Sequence, residues 1–402
     1  MIYVHVPFCR SFCTYCDFYS EVATKCRKAE EALRQEALFG DFADALASEL
    51  RLRAKEITDD VNTLYIGGGT PSVLPLSAFQ TLVDALGAAG KAASFEEFTV
   101  EVNPEDIVDK GPSYVEGLLK LGVNRISMGV QSFDDSVLKF MNRRHDSAMA
   151  RKAYAILEDA GVQNISIDLI FGLPQLSSSV WSDTLDKALD ISSRGVLPQH
   201  ISSYQLSVEP GSMLARLVDK GAWQEASDDL CQEQYSALCS VLASAGYHHY
   251  EISNFAQPGF ESRHNSAYWR NVPYVGLGPG AHSYITSADI LSTSQPVRQW
   301  NLPDLQAYLA ASREGNFSSV QEGEALDPGQ LALERIMLGL RTSAGLLESF
   351  LRDNCDPAAI AAAIEAGHLV RTDGSMVCQS GQHLRIPESY FFISDTIISS
   401  LV

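Results

Sequence analysis

The chain has 402 residues, of which 46% are hydrophobic and 20% charged, with a formal charge of −20. That is an ordinary globular composition, and its acidity argues against nucleic acid or anionic lipid as an electrostatic partner. No apolar run reaches the roughly 18 residues that cross a bilayer.

Short β-branched runs alternate with amphipathic stretches about six times. Strands are predicted at Ile2–Val6, Thr63–Gly67, Glu97–Val102, Arg125–Val130, Asn164–Phe171 and Gln199–Leu206. Helices are predicted between them at Phe42–Lys55, Ser77–Ala89, Ser113–Leu121, Asp134–Met141, Ala148–Ala160 and Val180–Ser192. The charged, Ala-rich insert Glu21–Asp41 reads as a surface helix, with Cys26 incidental. Strands joined by helical crossovers imply βαβ units and a parallel sheet. The pattern fits a (β/α)6 partial barrel or a doubly wound open sheet, and in either case ligands collect at the carboxyl ends of the strands.

The first strand runs into Cys9, Cys13 and Cys16, a C-x3-C-x2-C array within Tyr3–Tyr19. Thiolates this close can face one centre, and soft thiolates select iron–sulfur clusters or zinc. A structural zinc site needs a second ligand pair, and the other five cysteines are scattered singly. A cubane on three thiolates keeps one iron open. The apolar amino-terminal run is too short for a signal peptide, and the scattered cysteines make no disulfide framework. A cytoplasmic protein with reduced thiols is expected.

The stretch HVPFCRSFCTYCDF resembles the cysteine loop of the radical S-adenosylmethionine superfamily. More narrowly, it resembles the branch of oxygen-independent coproporphyrinogen III oxidase and its haem-chaperone (HemW-type) relatives. The resemblance implies an α/β fold, a (β/α)6 partial TIM barrel with a small C-terminal winged-helix-like α+β domain. It implies a [4Fe–4S] cluster on Cys9, Cys13 and Cys16, with S-adenosylmethionine on the open iron and haem as a further ligand. The expected divisions are a core at 1–225, a connecting region at 226–320 and the last domain at 321–402.

Further signals follow each strand. Gly67-Gly68-Gly69-Thr70 could be a tight turn, since glycines permit close approach and positive φ. By resemblance Gly68, Gly69 and Thr70 cradle the methionyl amino group. Glu101 ends the third strand, where a helix-capping carboxylate is the plain alternative to a ribose or ammonium acceptor. Gln131 and Arg143 follow the fourth, and the resemblance puts them against ligand; Arg144 is a rival to Arg143. Asp168 is an ionisable residue in an apolar strand, so it needs a partner, and Arg143 is the expected one. Tyr3 and Tyr15, in the cysteine stretch, are expected to contact cofactor. Gln205 is placed at the same mouth, and His200 is read as a packed or partly exposed imidazole in preference to a ligand.

After a helix at Leu230–Ala245, His264-Asn265-x-x-Tyr268-Trp269 resembles the HNxxYW motif of the haem-chaperone subgroup. Imidazole is a standard haem ligand, which makes His264 the candidate, with His248, His249 and His282 as rivals and a hydrogen-bonded structural histidine as the bland reading. Gly276, Gly278 and Gly280 form a Gly-rich turn that weakly suggests a phosphate site. From Asp327 come helices near Leu333–Leu340, Ala344–Arg352 and Pro357–Ala366, a hairpin over HLVRTDGSMVCQ, and a last helix at Glu388–Ser399. Asp327–Val402 has nine acidic and five basic residues, which speaks against DNA binding and for a lid or docking module.

Two departures from the decarboxylating oxidase favour the chaperone subgroup. Phe18 stands where that enzyme has an additional cysteine, and the cysteine loop begins almost at Met1. The expected function is therefore a haem chaperone with an electron donor and a haemoprotein acceptor. The alternatives are oxidative decarboxylation of coproporphyrinogen propionates and a zinc-stabilised scaffold.

Overall fold

The computed structural model describes residues 1–23, 28–58, 61–91, 94–286, 295–372 and 381–402. Six parallel strands form its centre: β1 (Ile2–Val6), β2 (Thr63–Gly68), β3 (Glu97–Val102), β4 (Arg125–Gln131), β5 (Ile165–Phe171) and β6 (His200–Gln205). Three short strands extend them: β7 (His248–Glu251), β8 (Asn254–Ala256) and β9 (Val275–Leu277). The nine lie in the order β9-β1-β2-β3-β4-β5-β6-β8-β7, with β7 and β8 antiparallel. Residues 226–320 thus add strands to the core sheet.

Strand order decides between the two expected architectures. Right-handed crossovers that always advance in one direction put every helix on the same face, whereas a doubly wound sheet needs a reversal. Here β1 to β6 are consecutive, so the sheet curls into a partial barrel with helices outside, and β9 and β7 are its two edge strands.

Period-two alternation fits that curl. Ile2, Val4 and Val6, then Leu64 and Ile66, then Ile126, Met128 and Val130 are buried in the apolar core. Their neighbours Tyr65, Glu101, Arg125, Ser127, Asp168 and Ser202 line an interior cleft. Helix Ala29–Arg53 buries Phe39, Phe42, Leu46 and Leu50 against the sheet, and Phe8 packs edge-on to Phe39 and Phe42 at 5.0 and 5.2 Å. It extends the expected Phe42–Lys55 helix back through most of the insert; Cys26 lies outside the described residues.

At the C-terminus, helices Pro328–Leu340, Glu348–Asn354 and Pro357–Glu365 surround a three-stranded antiparallel sheet of Leu346–Leu347, His383–Arg385 and Val370–Thr372. This is the winged-helix-like unit expected. Ala344–Leu347 is not helical as expected, because Leu346 pairs with Leu384. The last helix begins as a 3-10 turn, Glu388–Ile393. Most of the expected hairpin turn lies outside the described residues. The unit packs on edge strand β7: the Ser343 amide donates to Tyr250 O at 3.0 Å, and Phe391 meets His249 edge-on at 5.0 Å. Covering an edge strand this way protects its free backbone groups. Among the described residues no helix is long and apolar enough to cross a membrane.

Candidate cofactor site at the strand mouths

The cysteine loop leaves β1 and is pinned at both ends. Phe8 and Cys9 bridge to Glu21 and Val22, with the Ala23 amide donating to Cys9 O at 2.7 Å. Its middle is tied across the mouth. Thr14 donates from its amide to Met141 O and from its hydroxyl to Phe140 O, each at 3.2 Å, and the Leu214 amide donates to Thr14 O at 2.7 Å. Asn142, at φ 57°, donates from Nδ2 to Phe12 O at 2.7 Å. Asparagine tolerates that left-handed conformation better than most residues.

Cys9, Cys13 and Cys16 are free, half-buried thiols on the wall of a cleft of about 480 Å3. Among the described residues no group of three His, Cys, Asp or Glu side chains is already drawn together around a single metal position. Three thiols facing one larger space suit a cubane, whose thiolates bind separate irons. Burial pushes Cys9 and Cys16 up, Cys16 to about 12, so a metal would displace their protons on binding.

The glycine loop lies directly against these sulfurs. A Cβ on Gly69 would meet Phe8 O at 2.8 Å and Cys9 Sγ at 3.0 Å. Gly68 sits at φ 107°, where a Cβ would strike the His5 ring at 2.6 Å. Thr70 donates its hydroxyl to Cys9 Sγ at 3.5 Å and accepts from Asn103 Nδ2 at 3.2 Å. The triplet is more than a tight turn: it is a surface without side chains beside the thiols.

Glu101 is fixed by the Tyr65 hydroxyl, which donates to Oε1 at 2.7 Å, and by the Gly68 amide, which donates to Oε2 at 3.2 Å. Burial pushes its carboxyl up to about 7, against the help of Tyr65. Arg143 donates to Asn103 Oδ1 at 2.7 Å, Gly129 O at 2.8 Å and Cys13 Sγ at 3.4 Å. Burial works against its charge, but the Cys13 and Tyr15 groups outweigh that and raise it. Gln131 lies in the cleft wall at φ 67°, where the β4–β5 register slips. Asp168 is pushed up to about 6 by burial, opposed first by the charge of Arg125. Its direct partner is Ser127, whose hydroxyl reaches both carboxyl oxygens at 3.2 and 3.3 Å. The expected Asp168–Arg143 pair is therefore not formed: Arg143 is committed to the cysteine loop and Asn103, and its charge on Asp168 is a lesser influence.

The cleft wall thus gathers Cys9, Cys13, Cys16, Tyr15, Gly68, Gly69, Thr70, Glu101, Gln131, Arg143, Asp168 and Gln205. Tyr3 lies just behind it, its hydroxyl 3.1 Å from His5 Nδ1 and its ring next to Tyr65.

His264 is not brought to the mouth. It is 1% exposed near the start of β2, with Nδ1 2.9 Å from Thr63 Oγ1 and Nε2 3.2 Å from the Tyr268 hydroxyl. Tyr268 stands four residues further along the same short helix, Arg263–Trp269, so the two motif residues bond to each other. Burial lowers the His264 ring to about 3. It is a neutral, fully bonded structural imidazole, which argues against it as a haem ligand. Its rivals do not line the cleft either. His248 faces Glu261 at 3.3 Å, His249 stacks on Phe255 at 4.1 Å, and His282 stacks on Trp300 at 5.8 Å. His200 is packed as expected, between Ser166 Oγ at 2.8 Å and the Tyr250 hydroxyl at 2.7 Å. The Gly276–Gly280 turn offers no phosphate site: the Gly276 amide is taken by Ser283 Oγ and the Gly278 amide by Glu49 Oε2, each at 2.9 Å.

Sequence reasoning passed over Tyr65, Asn103, Arg125, Ser127, Ser202 and Tyr204, all of them in the wall. The signal was available. Strands of a parallel sheet covered on both faces read as continuous apolar runs, whereas on β3 to β6 every second residue except Ile170 is polar or small. Among the described residues the cleft lining ends in sequence at Asn265, and none of it comes from the C-terminal unit.

Residues 3–188 match the family model described as the Radical SAM superfamily. The chain is 33% identical over 346 residues to the heme chaperone HemW of Synechocystis sp., covering 86% of this chain and 78% of that one. Identity to the heme chaperone HemW of Bacillus subtilis is also 33% over 346 residues, covering 86% and 84%. The solved structure of coproporphyrinogen III oxidase (HemN) from Escherichia coli shares the fold, with a TM-score of 0.76 at 20% identity over 99% of this chain and 89% of that one. This chain belongs to the HemW family of the radical S-adenosylmethionine superfamily.

Proposed function

We propose that this protein is a haem chaperone. It holds a [4Fe–4S] cluster on Cys9, Cys13 and Cys16, takes S-adenosylmethionine at the fourth iron, and binds haem for delivery to a respiratory haemoprotein. The observation that carries this reading is the shared cleft, in which three thiols of one loop, the Gly68–Thr70 surface and Glu101 face the same space. When bound, the cluster supplies an open iron and a one-electron redox couple. The chain's own residues do the rest. Gly69 leaves room beside Cys9, Glu101 is held ready by Tyr65 and Gly68, and Arg143 places positive charge next to Cys13.

Apolar lips support haem as the cargo. Phe12 and Phe18 line the cleft yet are 55% and 64% exposed, and flat apolar macrocycles pack on such rings. We place the protein in the cytoplasm, with a separate electron donor, and read it as three parts at 1–225, 226–320 and 321–402.

The test is an anaerobic assay of the reconstituted protein with S-adenosylmethionine and either haem or coproporphyrinogen. Stable haem uptake and transfer to an apo-haemoprotein, without vinyl product from coproporphyrinogen, is the expected result. Formation of vinyl product would replace this reading with oxidative decarboxylation.

A further inference from the structure

Arg125 opens β4 at the floor of the cleft, on the inner face, and is only 2% exposed. Its guanidinium has no hydrogen bond or ion pair to any described residue, and its Nε is buried without a partner. The two carboxylates nearest in charge are already committed. Glu101 accepts from Tyr65 and Gly68, and Asp168 accepts from Ser127. Thr99, paired in register with Arg125 on the neighbouring strand, also buries an unpartnered hydroxyl. Asn265, from the motif that contains His264, lines the same floor.

Burying a guanidinium with its donors unused is costly, and its planar fork matches a carboxylate. We infer that Arg125, with Asn265 in the same lining, forms a carboxylate-binding subsite at the floor of the cleft. The inference rests on the proposed haem ligand, whose propionates are the carboxylates in question; the methionyl end of S-adenosylmethionine belongs at the mouth beside Gly68–Thr70. In this arrangement the HNxxYW segment serves the ligand through Asn265, while His264 holds the helix in place.

The test uses the anaerobically reconstituted full chain, titrated with haem and with its propionate dimethyl ester. Wild type should prefer the free acid by about tenfold or more. Arg125→Gln should abolish that preference and Arg125→Lys should restore part of it. Arg125→Gln binding haem as tightly as wild type would mean that water fills the floor, and would overturn the inference. Should the glutamine variant fail to fold, equal wild-type affinity for haem and its dimethyl ester would overturn it as well. Equal uptake of the two forms sinks the subsite alone, whereas a wild type that takes up neither sinks the proposed function and the subsite with it.

Discussion

Cys13→Ser is expected to lose the cluster while the fold survives. Serine is a hard oxygen donor with a far higher pKa than a thiol, and iron–sulfur clusters are held by thiolates. The loop does not depend on Cys13 for its shape, because Thr14 and Asn142 tie it to residues 140–142 and Leu214 ties it to helix Met213–Asp219. The substitution also removes the sulfur facing Arg143. Cluster absorption after anaerobic reconstitution should fall to background, while the stability of the apo protein in urea should move by no more than about 1 kcal/mol. Full cluster absorption in the variant would contradict the ligand assignment.

Glu101 should make the apo protein less stable as pH rises. Its carboxyl is raised from the ordinary 4.5 to about 7, first by burial, so the folded state binds the proton more tightly than the unfolded chain. The stabilisation is complete below about 4.5 and is lost as pH climbs through 7. At about 1.4 kcal/mol per unit the component is at most about 3.5 kcal/mol, a ceiling because the carboxyl faces a cleft that water enters. Asp168 and Glu251 are raised in the same sense, so the wild-type slope alone is not diagnostic. Glu101→Gln isolates it: the stability difference between wild type and variant, from urea melts, should shift in the variant's favour between pH 4.5 and 7. Parallel curves would contradict the raised carboxyl.

Much of the framework was legible in residue pattern. The six parallel strands fall within a residue or so of the β-branched runs that announced them, since the face of each strand turned to the helices keeps its apolar residues at period two. The cysteine spacing and the glycine triplet were legible because each leaves a chemical or steric signature in a few adjacent positions. What escaped depends on contacts between distant residues. Asp168 and Arg143 are near in charge, but Arg143 turns toward Cys13, a choice made by the loop and not by either strand. His264 carried the right chemistry for haem, yet Glu97 accepts the backbone amides of Arg263 and His264 at 2.7 and 2.9 Å and draws that helix into the barrel floor. Arg125 looked like an ordinary strand boundary. Only the curl of the sheet shows that it faces the cleft, with no partner for its Nε among the described residues.

The central claim is that three thiols at one mouth carry an iron–sulfur cubane with a free corner. Iron and acid-labile sulfide analysis of anaerobically purified wild type tests it most directly: about four of each per chain is the result this structure predicts. One zinc per chain with no sulfide would contradict it.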